Sequence, residues 1–466
     1  MAPTFGVREF AQMRRVAADA VVWGLPLVLS DLVARAHPLN GRFYELPANV
    51  RTLAPGLIAT HGDIWSCSAI LDVSAGPAVI ALPSGHGAYL ALILHDGWGR
   101  VLASLGPPEP RREERRLTVV GPSWSGGPHR DVTEVRSPGD LVWAVCHVLG
   151  AGEGGRQDAL RLREGIVLES NDGRAVASDA EPLNLTGRRS FDDVLEVMGP
   201  ATFFWRLARL LSVHKPPQED ANIVTALRKI GVSGQHFSPR DWPVDQIQAL
   251  DEGFDEGMRR VRWATPPPSG FAACGGWNKT PAGIRHRGDA LERSAAALGG
   301  LGAPPADEVL VFTTTTDAAG ETLTGAREYR LAFEPGDAPP AAAFWSICVI
   351  DQRGAPLDAP FARLSVGDWF GLTPTPGERL EISIQLGGDA GLRHRLQPPP
   401  SPFGLRLELY RPSRAALGQA WRPPLVVNRG PCSVHANVSF SAARFAASAA
   451  QPTRSGAGPA VVHFLS

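Results

Sequence analysis

Between His61 and Asp96 the chain gathers His61, Asp63, Ser66, Asp72, His86, Tyr89, His95 and Asp96. Imidazole titrates near neutrality, and a carboxylate beside it can fix its tautomer, so this mixture is suited to general acid–base chemistry. Asp63, His86 and Asp96 are the candidate catalytic groups, because the Gly and aromatic residues around them suit the mouth of a pocket. Trp65, Ser66, Tyr89 and Trp98 are candidate substrate contacts in the same stretch, with His147, Trp345 and Arg363 further along. Each has a plainer reading. Asp72 reads as a turn cap, and Asp96 can end a strand through an Asx turn. Trp345 lies in a Phe-Trp-Ser strand and reads as core, while Arg363 either clamps an anion or pairs with Asp351.

Other chemistries lack their motifs. No GxGxxG follows a strand, and no Walker loop, HExxH or GxSxG occurs. The run from Gly121 to Gly126 resembles a nucleophile elbow only superficially, since Pro122 and Trp124 fit a structural turn. No two of these histidines stand two apart on one strand, and His95 and Asp96 point to opposite strand faces, so no metal site is expected. No cofactor is expected either. Five widely spaced cysteines without a CxxC argue against a disulfide framework or structural zinc. A formal net charge of −1 favours neither nucleic acid nor an anionic membrane. The N-terminus has no apolar signal core, and the run from Ala17 to Val33 is interrupted by Asp19, Gly24, Pro26 and Asp31, too often to span a bilayer. A soluble, cytoplasmic protein is expected, with self-association left open.

The elements that must position these residues follow from periodicity. Residues 8–23 have helical spacing, with Gly24 and Pro26 expected to end or kink the helix. Pro77 to Pro83, Ala88 to Asp96, Leu117 to Gly121 and Leu141 to Leu149 read as strands. Helices are expected at 191–211, 220–230, 243–261 and 289–298. The third has Val244, Ile247, Leu250, Phe254 and Met258 on one face. Arg379 to Leu386 alternates, as do Leu405, Leu407 and Leu409 with Arg406 and Glu408, which predicts half-buried antiparallel strands. With 466 residues and abundant Gly and Pro, the chain divides into an N-terminal helical segment (1–44), a β domain (45–170), a helical connection (171–300), a second β domain (301–428) and a tail (429–466). The fold class is mainly β with α: two antiparallel barrel- or jelly-roll-like domains joined and flanked by helices.

The order of several motifs resembles the tandem family of domains of unknown function numbered 1254 and 1214. Ala20 to Leu27 is similar to its opening helix. Gly62 to Ser66, Ile70 to Val73 and Gly76-Pro77 are similar to its Asp-Thr-x-x-Ser…Leu-Asp-Leu…Gly-Pro signature, and Gly121 to Trp124 to its Gly-Pro-x-Trp turn. Asp317, Gly320, Leu323, Gly325 and Tyr329, then Phe344-Trp345-Ser346, then Trp421, Pro423 and Pro424, resemble its second half. The resemblance implies two β-barrel-like domains with helices between or around them, and no activity. Where the family pattern has arginines, this chain has Gly87 and Ala88 before Tyr89, and His147 in the Leu141 to Leu149 strand. If those positions line a pocket, it is less cationic and more apolar than the family's.

The reading from residues is therefore a cofactor-independent enzyme acting on an apolar small molecule, with a cyclase, isomerase or lyase step. The alternative is a non-catalytic protein holding a lipid- or sugar-like ligand. A structural role through sheet edges is a third.

Overall fold

The computed structural model describes residues 6–36, 42–45, 64–83, 89–106, 115–127, 132–149, 155–170, 190–216, 218–234, 237–265, 276–280, 284–285, 289–352, 354, 357, 364–368, 377–387, 394–418 and 420–432. Asp63, His86, Arg363 and the tail beyond 432 lie outside them.

Helix α1 (Val7–Ala36) is the centre of a helical layer. A short helix α2 (Gly155–Gly165) lies on the first β unit. The layer is completed by α3 (Phe191–Val213), α4 (Ala221–Leu227), α5 (Val244–Ala264) and α6 (Ala290–Gly300); α7 (Arg414–Leu417) belongs to the second β unit. Of the end or kink expected at Gly24 and Pro26, the end does not occur. Proline leaves the Val22 carbonyl without its i+4 donor, and the buried Ser294 hydroxyl of α6 donates to that carbonyl instead. A Cβ on Gly24 would meet Leu207 of α3 at 2.7 Å, so glycine there permits close packing rather than an end. Gly253 and Gly257 of α5 do the same against α1: their Cβ atoms would lie 2.5 Å from the Arg14 carbonyl oxygen and 2.8 Å from that of Ala18. By length and composition alone the continuous helix is apolar enough to cross a membrane, and 94% of its most apolar stretch is buried inside the protein. On α5, Leu250, Phe254 and Met258 are buried as expected, whereas Val244 and Ile247 are exposed.

The first β unit pairs two sheets. The larger runs β1 (Tyr44–Glu45), β2 (Ile64–Asp72), β8 (Leu141–Leu149), β4 (Tyr89–Asp96), β5 (Arg100–Leu105) and β11 (Ile284–Arg285). The smaller runs β7 (Thr133–Arg136), β6 (Arg115–Val120), β3 (Ala78–Leu82) and β9 (Val167–Ser170). Between them sits a core containing Leu71, Ile80, Leu92, Leu117 and Val148. The second unit repeats the plan with β10 (Asn278–Lys279), β12 (Val309–Thr314), β18 (Gly404–Pro412), β14 (Ala341–Ile350) and β15 (Ser365–Gly367) over β17 (Arg395–Leu396), β16 (Leu380–Ile384), β13 (Arg327–Phe333) and β19 (Val427–Pro431). Among the described residues, pairings are antiparallel except β5–β11, β6–β7 and β16–β17. The fold is thus mainly β with α, and among the described residues each unit is a pair of facing sheets, not a closed barrel.

The alternation expected of β16 is present, with Leu380, Ile382 and Ile384 buried. That expected of β18 is not: Arg406 and Glu408 are buried as deeply as the leucines beside them. The leucine face fills the second unit's core, and the other face turns toward the first unit.

Candidate functional site

Side chains alternate across a strand, so β8 sends Cys146 and Val148 into the first unit's core and His147 and Leu149 to the opposite face. His147 is paired with Ser66 on β2 and Ala91 on β4, which puts its imidazole in the middle of that face. The Ser66 hydroxyl lies 2.8 Å from His147 Nδ1. His147 is 2% exposed, and its Nε2 has no hydrogen-bond partner among the described residues.

The second unit supplies what faces it. Register across β12, β18 and β14 lines up Val309 with Tyr410 and Phe344, and Val311 with Glu408 and Ser346. Tyr89, Ala91, Ile64 and Leu149 from the first unit form one apolar cluster with Val309, Phe344 and Tyr410 from the second. Phe344 and Tyr410 stack at 4.0 Å, and Tyr89 meets both edge-on. Beside this aromatic group lies a polar layer. Glu408 accepts from Tyr410 Oη at 2.8 Å and Ser346 Oγ at 3.5 Å, and Arg406 Nε stands 2.8 Å from its other oxygen. Glu308, just before β12, accepts from Tyr89 Oη at 2.7 Å and Ser104 Oγ at 3.1 Å, both of the first unit. Arg411 Nε is 3.8 Å from Glu308, and its guanidinium lies 6.0 Å from the Tyr89 ring centre.

Burial sets the protonation of this layer. It pushes His147 down to about 4, with Glu408 close enough to oppose the shift. It pushes His95 down to about 3, assisted by His147 and opposed by the Gly302 backbone. Both rings are therefore neutral at pH 7. Burial, then the adjacent Glu308 or Glu408 carboxylate, raises Tyr89 and Tyr410 well above the usual phenol range, so both remain donors. The layer offers neutral imidazole, hydroxyl and phenol groups held against two glutamates, a set able to pass protons without storing a charge.

Of the residues singled out by sequence, Ser66, Tyr89 and His147 come together here. Asp96 does not. It is buried and committed to Arg100, accepting from Nε at 2.7 Å and from the backbone N–H groups of Trp98 and Arg100 at 2.9 Å, which is the strand-ending reading. Asp72 likewise caps its turn through the Ser74 N–H. The three tryptophans among the candidate substrate contacts lie in three cores. Trp98 packs on Trp23 at 4.6 Å in the helical layer, and Trp345 on Phe333 at 6.1 Å inside the second unit. Trp65 borders the first unit's core beneath Arg163. Large rings of this kind are drawn into whichever core is nearest. Sequence reading missed Glu308, Arg406, Glu408 and Tyr410. The one available signal was opposite charges two apart on a strand that continues into Tyr410. A groove of about 500 Å³ lined by Arg100, Pro122, Arg136 and Ser137 lies elsewhere, and both its arginines are paired, with Asp96, Glu219 and Glu134. No cluster of three or more metal-ligating side chains occurs among the described residues.

The family described as "Protein of unknown function (DUF1254)" matches residues 42–170, and "Protein of unknown function (DUF1214)" matches 308–414. The chain belongs to this tandem family. The DUF1254 part contributes Ser66, Tyr89, Ser104 and His147 to the layer, and the DUF1214 part Glu308, Ser346, Arg406, Glu408 and Tyr410. Among solved structures, the VPA0106 protein of Vibrio parahaemolyticus is similar at a TM-score of 0.66 and 18% identity, over 89% of this chain and 99% of that one. An uncharacterized protein of Burkholderia cenocepacia is similar at a TM-score of 0.44 and 10% identity, over 91% and 95%. The first likeness shows a shared fold. No curated protein matches the chain.

Proposed function

We propose that this DUF1254–DUF1214 protein is a cofactor-independent enzyme that acts on a small, largely apolar molecule at the layer between its two β units. The observation that carries the reading is His147, whose Nδ1 is tied to Ser66 while its buried Nε2 has no partner among the described residues. A buried polar atom without a partner costs free energy and calls for an explanation. A ligand group meeting Nε2 is that explanation, and interfaces between domains are a preferred place for small-molecule sites.

A neutral imidazole whose Nδ1 is hydrogen-bonded to the serine can take a proton from one substrate atom at Nε2, as a transient imidazolium, and return it from Nε2 to another atom. Removing a proton from one substrate atom and returning it at another is what an isomerase, cyclase or lyase step requires. The Tyr89, Phe344 and Tyr410 rings offer an apolar wall, and Glu408 favours any positive charge that develops on the imidazole. A non-catalytic binding role is the second reading. It is favoured by the depressed basicity of His147, which weakens a general base at neutral pH.

The test is turnover in a pool of small metabolites, followed by mass spectrometry with the wild type, His147→Gln and Ser66→Ala. Wild type is expected to convert at least one apolar compound, and His147→Gln to lose roughly 100-fold of that rate, the usual scale for an acid–base group. Wild-type binding without conversion would favour the second reading. Conversion at an unchanged rate by a folded His147→Gln would refute the site.

A further inference from the structure

The residues next to Ser66 and His147 turn the other way. Cys67 on β2 and Cys146 on β8 are direct cross-strand partners. Both enter the first unit's core, at 2% and 0% exposure, and the neighbouring Cys67 together with burial raises the Cys146 thiol well above its usual range. Opposed residues of an antiparallel pair have Cα atoms about 4.5 or 5.5 Å apart, inside the roughly 4.4–6.8 Å range of disulfides. Cys348, by contrast, has Ser365 and Arg406 as its register partners, neither able to bridge it.

We propose that Cys67 and Cys146 are a latent cross-strand disulfide, a site of reversible oxidation in the middle of the larger sheet. A reducing compartment keeps the pair as thiols, and a disulfide or peroxide oxidant closes it. With oxidised glutathione, one cysteine loses its proton to solvent and its thiolate attacks the glutathione disulfide, releasing one glutathione. The second thiolate then attacks the mixed disulfide and releases the other. The protein loses two hydrogens and two electrons, and the oxidant gains them as two molecules of reduced glutathione. Burial makes the reaction slow, because a thiolate forms only when the sheet opens. Once formed, the bond fixes the spacing of β2 and β8 directly beneath the Ser66–His147 pair.

The test reads thiols and stability alone, so it stands apart from any activity. The full-length chain is equilibrated with excess oxidised glutathione in urea below its unfolding transition, then denatured at acid pH and its free thiols and glutathione adducts counted. The cysteines outside any protein disulfide, whether free or carrying glutathione, are expected to fall from the five of the sequence to three, with a Cys67–Cys146 peptide in the unreduced digest and a higher urea midpoint than the reduced form. Cys67→Ala is expected to form no crosslink, any thiol it loses being recovered as a glutathione adduct. No crosslink in the wild type at equilibrium, a link between other cysteines, or an oxidised form that unfolds earlier would each overturn the proposal.

Discussion

Glu408→Gln is expected to destabilise the folded protein by about 3–5 kcal/mol, the scale seen when one partner of a buried ion pair is removed. Glu408 is 1% exposed and Arg406, on the same strand face, 4%. The amide keeps the size of the carboxylate and still accepts from Tyr410, so the loss isolates the charge. The guanidinium is left in a low-dielectric layer without its nearest counter-charge. Removing both charges together has a different outcome: Arg406→Met with Glu408→Leu is expected to unfold close to the wild type, because the desolvation of two ions is relieved at once. Urea unfolding followed by tryptophan fluorescence measures both. A single variant within about 0.5 kcal/mol of wild type, the range of ordinary surface changes, would mean the layer is solvated.

Stability is also expected to fall steeply with mild acid. The ordinary imidazole value near 6.5 applies to the unfolded chain, while burial holds folded His147 at about 4 and His95 at about 3. Between these limits the unfolded chain binds protons that the folded chain refuses. Stability is therefore complete above pH 6.5 and declines as pH drops through the window toward 4. By pH 5 each ring costs about 2 kcal/mol, so the pair costs about 4 kcal/mol. His214, also lowered by burial, adds in the same direction. Asp96 acts in the opposite sense, since burial raises it and the folded state protonates first. Comparing wild type with His95→Gln and His147→Gln at pH 7 and pH 5 separates the imidazole share. Variants with the same pH slope as wild type would contradict the assignment of both rings as buried and neutral.

Much of the architecture was legible because period and punctuation govern it. The strands at Ala78–Leu82, Tyr89–Asp96 and Leu141–Leu149 and the helices after Phe191 and Val244 lie where their apolar spacing put them. Two misreadings share a cause. Pro26 ends a helix only if nothing else satisfies the freed carbonyl, and Ser294, far along the chain, does so. Arg406 and Glu408 look solvent-facing only if nothing covers that face, and the first β unit covers it. Neither fact is local. The site divides in the same way. Ser66, Tyr89 and His147 stand out as polar side chains in apolar strands, but Glu308 meets Tyr89 across 219 residues, a distance no periodicity carries. Asp96 attracted attention for its chemistry and proved to be a turn residue, because a strand end needs a carboxylate as much as a catalyst does.

The claim that the interdomain layer is kept for function rather than stability is tested most directly by His147→Leu at pH 7. A side chain held for packing loses stability when replaced. One held for function, with a buried nitrogen unpartnered among the described residues, gains it when an apolar group of similar size removes the desolvation penalty, by about 1–3 kcal/mol. The expected result is a higher thermal midpoint together with loss of turnover on any compound the wild type converts. A lower midpoint with turnover per folded molecule intact would contradict it, and would make His147 a structural residue of the seam between the two β units.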